Sequence, residues 1–274
     1  MLAELPEGEA GGQIAEIYGE IRRLWAVPYV SSLQRHLATK PGWLEWTWGA
    51  LGPAFLSGQA QTVAWRIANA LDLPTLSSMP AATLHRLGVG AAGQRTVREV
   101  CTGFVRVAPV NLIFAGLLRR LLNGERPAGA AMLGETWRPP APVAAPPAMI
   151  DVAALDRDAQ AILLMLGTDV DGTPFVPGLY RILAHWPAYI AHLGEVLGPL
   201  ATAPETNAAR AALLAGIDRS VTDLFPQLPA RPDLAMPPSA DIPAILAALD
   251  TYRRTSPEMV IFGRLIASAL PDKR

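Results

Sequence analysis

Cysteine is almost absent. One residue, Cys101, in a chain of 274 leaves no partner for an intrachain disulfide and too few thiolates for a Cys-rich zinc site. Charge is sparse as well, at 17% of residues against a globular average of about 25%. What charge there is cancels, 23 basic residues against 24 acidic ones. No net field gathers a polyanion, so dedicated nucleic-acid binding is disfavoured. Thin charge also leaves room for a partly buried homo-oligomer face. The N-terminal run MLAELPEGEAGGQIAEIYGEI opens acidic and lacks the basic-then-apolar pattern of a secretory leader. The uncharged stretch Trp46 to Trp65 is long enough to span a bilayer, but its proline, three glycines and two glutamines make two packed helices with a joint the better reading. The expectation is a cytoplasmic protein with neither a membrane nor a nucleic acid as partner.

Apolar residues, alanine and proline are plentiful. Hydrophobic residues make up 51% of the chain, with 46 alanines and 26 prolines. Alanine favours helix and lets helices approach closely. Apolar residues recur at three- and four-residue spacing in Ile14, Ile17, Tyr18, Ile21 and Leu24, and again in Val97, Cys101, Phe104 and Val105. The same spacing returns in Leu112, Ala115, Leu118 and Leu122, and in Ile245, Leu246, Leu249 and Tyr252. No sustained period-2 run is flanked by hairpin turns. Ser78-Met79-Pro80 and Asp241-Ile242-Pro243 each offer a cap followed by an early helical proline. The predicted class is all-α.

Proline marks the organisation. The segment Arg138 to Ala148, RPPAPVAAPPA, holds five prolines in eleven residues and cannot continue a helix. It divides the chain into a first helical repeat over residues 1–125, a proline-rich linker over 126–149 and a second helical repeat over 150–274. The halves are alike. Pro28 to Pro53 lies over Pro174 to Pro199 at a constant offset of 146, with ten of 26 positions identical, among them Arg35/Arg181 and Pro41/Pro187. A second match, at offset 148, pairs Arg106, Pro109 and Phe114 with Arg254, Pro257 and Phe262. The expected architecture is therefore a tandem helical repeat that forms an intramolecular pseudo-dimer. Its central groove is expected between the Val27–Lys40 and Thr173–Trp186 segments and the helices around Pro109 and Pro257.

Few residues stand out for chemistry. His185 and His192 lie two helical turns apart without a third ligand, which is weak support for a metal; helix packing or surface is the plainer role. His185, ahead of Trp186-Pro187, could still serve as a base. Arg35 and Arg181, matched in the repeat, fit either structural ion pairs or the planar recognition of a substrate carboxylate. The periodicity makes Cys101 a buried small hydrophobe. Gly88 to Gly93 lacks a phosphate-loop context and reads as a helix–helix turn. Asp169 and Asp171, in the loop GTDVDGTP, read as a solvent-facing turn.

The runs VPYVSSLQRHLATKPGWLEWTW, from Val27 to Trp48, and LYRILAHWPAYI, from Leu179 to Ile190, resemble the group I 2-haloacid dehalogenases, the DehI family. The resemblance extends over roughly 14–122 and 161–270. It implies an all-helical, pseudo-dimeric subunit with a central site, acting without metal or cofactor. It also implies hydrolysis of the carbon–halogen bond of small 2-haloalkanoic acids by a water that an aspartate activates. That aspartate position falls here at Leu179, with Gly178 before it, and no Asp or Glu lies between Asp171 and Glu195. The resemblance places Tyr29, Ser32, Asn111 and Tyr252 in the pocket wall; Arg35 or Arg181, matched in the repeat, is the candidate carboxylate contact. His185 and Asp171 are the substitutes for the missing base. The expected function is a DehI-like, cofactor-independent hydrolase of a small (2-halo)carboxylic acid. The alternative is a non-catalytic scaffold that binds a small apolar ligand or oligomerises.

Overall fold

In the computed structural model, the described residues are 3–129, 137–170, 172–231 and 233–271. Eleven α-helices account for most of them. In the first half these are α1 (Gly12–Trp25), α2 (Ser32–Leu37), α3 (Trp43–Leu56), α4 (Gln59–Asn69), α5 (Ala81–Arg86) and α6 (Ala91–Leu122). After the linker come α7 (Arg157–Met165), α8 (Gly178–Leu183), α9 (Pro187–Ala201), α10 (Pro204–Leu224) and α11 (Ile242–Ala269). The fold is all-α, with helix–helix packing throughout.

The tandem repeat is visible in the helices themselves. Shifted by 146 residues, α2 coincides with α8 from first residue to last, and α3 falls on α9, which starts two residues earlier in the repeat, at Pro187, the match of Pro41. Pro109 and Pro257 both sit inside long helices, α6 and α11. Among the described residues, the one sheet is a two-stranded antiparallel hairpin, β1 (Thr168–Val170) with β2 (Thr173–Phe175). It forms within the segment that the sequence marks as a plain turn. Strands of three residues are too short to carry a period-2 signal.

Two compact units share the chain. The first takes residues 1–70, 106–142 and 213–256. Here α1 buries Ile17, Tyr18, Ile21, Leu24 and Trp25 along one face. Trp25 stacks on Phe55 of α3 with ring centroids 4.8 Å apart, and Trp48 and Phe114 extend the aromatic cluster. The α1 helix ends in Ala26 at φ 53°, a left-handed conformation that disfavours a Cβ. The Arg106 guanidinium donates to the Ala26 carbonyl at 3.1 Å and helps hold that turn. Small residues permit close contacts: a Cβ at Gly116 would meet Val221 at 2.6 Å, and one at Gly216 would meet Ile67 at 2.9 Å. An N-terminal strap lies along α2, with the Leu5 N–H donating to the Arg35 carbonyl and the Glu7 carboxylate accepting from the Val30 N–H.

The second unit takes residues 71–105, 143–212 and 257–274. Its core is Cys101 of α6, Tyr180 of α8, Tyr189 of α9 and the apolar run Val260–Phe262 of α11, all nearly sealed from solvent. Arg98 closes the end of α11 by donating to the carbonyls of Ala267 and Pro271. Trp186 packs on Gly93 near the start of α6, in line with the turn read at Gly88 to Gly93.

Among the described residues one helix, α6, is long and apolar enough to cross a membrane, but 72% of its most apolar stretch is buried inside the protein, as in a core helix.

Candidate functional site

In the first unit, Asn111 sits where α6 meets α1 and α2, and only 2% of it is exposed. Its Oδ1 accepts from Trp25 Nε1 at 3.0 Å and from Gln34 Nε2 at 2.9 Å, while its Nδ2 donates to Ser31 Oγ at 2.7 Å. Both lone pairs and one of two amide protons are therefore engaged within the protein.

Tyr29, Ser32 and Tyr252 form a second cluster in this unit. The Tyr252 hydroxyl is hydrogen-bonded to the Ser32 side chain and to the Leu33 backbone. Burial pushes the Tyr252 phenol well up, with Glu4 adding to the rise and Arg35 opposing it. Burial also raises Tyr29, and Tyr252 raises it further. Both phenols stay neutral through the physiological range, so they can donate hydrogen bonds but not act as bases. Beside them Arg35 pairs with Glu4 at 2.6 Å, each side chain 24% exposed. The Arg35 cation thus already holds a carboxylate from its own chain.

In the second unit, Gly178 and Leu179 open α8. Gly178 lies against Phe104 and Met149, and Leu179 is fully buried as an apolar core residue. Arg181 donates from Nε to the Ile150 carbonyl at 2.9 Å, and exposed His185 pairs through Nε2 with the Ala148 carbonyl at 2.8 Å. The end of the proline linker is in this way tied to α8. Asp171 lies outside the described residues. Burial lifts the Cys101 thiol to about 12, which leaves it protonated and inert at neutral pH.

A residue that the sequence reading passes over is also here. Glu258, on α11, is the one acidic residue that the fold buries among those described. Its Oε2 accepts from Thr168 Oγ1 of β1 at 2.5 Å, and its Oε1 accepts from Tyr180 Oη of α8 at 3.3 Å. Burial holds its pKa above the ordinary carboxylate value, against the opposing pull of the two hydroxyls and of Arg210 on α10. The local signal was the polar run Thr255-Ser256-Pro257-Glu258 ahead of an apolar helical stretch. Among the described residues no group of three or more His, Cys, Asp or Glu side chains could hold a metal ion.

No family model matches the chain. The (R)-2-haloacid dehalogenase of Pseudomonas putida is 24% identical over 221 residues, which cover 77% of this chain and 72% of that protein. Among solved structures, a D-2-haloacid dehalogenase mutant in complex with D-2-CPA superposes with a TM-score of 0.76 at 18% identity, covering 98% of this chain and 96% of that one. The complex of D-2-haloacid dehalogenase with L-LA gives the same TM-score at 19% identity and the same coverage. The chain has the all-α, tandem-repeat fold of the D-2-haloacid dehalogenases, over nearly its whole length.

Proposed function

We propose that this protein is a cofactor-independent hydrolase of a small 2-halocarboxylic acid or a closely related small carboxylic acid. The observation that carries this reading is the likeness to a curated (R)-2-haloacid dehalogenase along 77% of the chain, joined to a fold shared end to end with D-2-haloacid dehalogenase structures. The arginines support the same reading. Arg35 is already neutralised by Glu4, so its repeat partner Arg181 is the better contact for a substrate carboxylate, offering a planar guanidinium. In the first unit, Tyr29, Ser32 and Tyr252 would present neutral hydroxyl donors to a small ligand.

Leu179 favours a second reading. A fully buried leucine stands where the resemblance calls for the aspartate, which suits a scaffold that binds a small acid without turning it over. One experiment separates the two. The purified protein is offered each enantiomer of 2-chloropropionate while free chloride is measured, and binding is followed by calorimetry. Chloride release above the blank with one enantiomer preferred supports the hydrolase. Heat of binding without chloride release supports the binder, and neither signal with either enantiomer removes this substrate class.

A further inference from the structure

An acid buried in a helix core is costly unless a cation or several donors hold it. Glu258 is buried on α11, yet the groups bonded to its two oxygens are hydroxyls, Thr168 from β1 and Tyr180 from α8. Each carboxylate oxygen offers two lone-pair directions. With one protein donor on each, a direction remains on both oxygens for a proton from outside. As a residue Glu258 keeps 9% exposure, while Val260 and Ile261 farther along the helix have none. Its placement relative to α8 matters most. Tyr180, which holds Oε1, directly follows Leu179, where an acid was expected and an apolar residue stands. The carboxylate that α8 lacks is brought to α8 by α11.

We propose that Glu258 is the proton acceptor of the hydrolysis put forward above, and the inference rests on that reading. In the step, a water oxygen attacks C2 of the 2-halo acid on the face opposite the halogen. The new C–O bond forms as the C–halogen bond breaks, and the bonding pair leaves with halide. Glu258 takes one proton from the attacking water and becomes a neutral carboxylic acid, and the product is the 2-hydroxy acid. Loss of that proton to solvent restores the carboxylate. The charged and titratable groups facing Glu258 are Tyr180 from α8 and Arg210 from α10. Tyr180 is held neutral by burial and by Glu258 itself, which leaves the carboxyl as the member of this pair that exchanges a proton. A carboxylate lifted above its ordinary pKa by burial is a stronger proton acceptor than an exposed one.

The test uses the full chain and follows chloride release from both enantiomers of 2-chloropropionate as a function of pH. The variants are Glu258→Gln, Glu258→Asp and Tyr180→Phe, with Glu195→Gln on the exposed face of α9 as a control. Glu258→Gln is expected to lower kcat by about 100-fold or more, the usual worth of a general base, with KM changed far less. Tyr180→Phe removes a donor to the anion, so the acidic limb of its pH profile should move to higher pH. The control should match the parent protein. If Glu258→Gln keeps more than about a tenth of kcat with the acidic limb in place, Glu258 is not the acceptor and the hydrolase reading survives. If the parent protein releases no chloride from either enantiomer, both readings fall together. If Glu258→Gln does not fold, as judged by thermal melting, Glu258→Asp and Tyr180→Phe decide: an acidic limb unmoved in both overturns the proposal.

Discussion

Replacing Asn111 with leucine asks whether this residue builds the fold or meets a ligand. The two side chains are similar in volume, so the change leaves little cavity and isolates the hydrogen bonds. In the protein, Asn111 Oδ1 is the acceptor for two buried donors, Trp25 Nε1 at 3.0 Å and Gln34 Nε2 at 2.9 Å. Trp25 and Gln34 are both fully sealed from solvent, so neither donor reaches water once the acceptor is gone. Each orphaned buried donor costs about 1–3 kcal/mol, or about 2–6 kcal/mol for the pair. The half-buried Ser31 hydroxyl can turn to solvent and adds little. At about 2 °C per kcal/mol for a chain this long, the apparent Tm should fall by about 4–12 °C. Trp25→Phe in the same background removes one of the orphans and should restore part of that loss, which a double-mutant cycle in thermal unfolding measures. A Tm within about 1 °C of the parent, combined with a raised KM for the haloacid, would refute the structural assignment and return Asn111 to the ligand wall.

Gly116→Ala places a Cβ 2.6 Å from Val221 Cγ2, so the α6–α10 contact must open, at a cost of about 1–3 kcal/mol in urea unfolding. Val221→Ala in the same chain should recover much of it. Glu258 carries a folded-state pKa raised by burial, so in the interval between the ordinary and the raised value the folded protein holds a proton that the unfolded chain has already lost. Its contribution to stability is therefore full below the ordinary carboxylate pKa and declines as pH rises through the raised one. Glu258→Gln should melt higher than the parent at neutral pH, with the gap closing on acidification. A variant that melts lower at neutral pH would make Glu258 a structural anchor rather than a group held at a cost.

The helical architecture was legible because its signals are local. Apolar spacing in Ile17, Tyr18, Ile21 and Leu24 needs only one turn of helix to register, and these residues are the buried face of α1. The repeat was legible because prolines and aromatic rings resist drift in an alanine-rich chain; Pro109 and Pro257 fall within long helices on both sides. Caps were read less well. Asp241 precedes Pro243 as a cap should, but its carboxylate accepts instead from Lys40 and Trp43. A partner 198 residues away in sequence outcompetes the adjacent backbone.

The site was legible only in part, for the reason that governs Asp241. Tyr29, Ser32 and Tyr252 do gather, but the roles of Asn111 and Arg35 depend on Trp25, Gln34 and Glu4, which no spacing rule connects to them. Glu258 depends on Tyr180 and Thr168, 78 and 90 residues away. The repeat gives these distant pairs a common logic. Gln34 of α2 and Tyr180 of α8 are matched residues at offset 146, and each reaches a residue just past the proline of its long helix: Asn111, two residues after Pro109 on α6, and Glu258, directly after Pro257 on α11. In the first copy the partner is an amide, and the joint closes on itself as a neutral network around Trp25 and Ser31. In the second copy the partner is an acid held only by hydroxyls, and burial leaves it short of compensation. A duplicated joint allows this division: one copy can satisfy the fold, and its twin can keep a poised charge that a single copy would have to neutralise in order to fold.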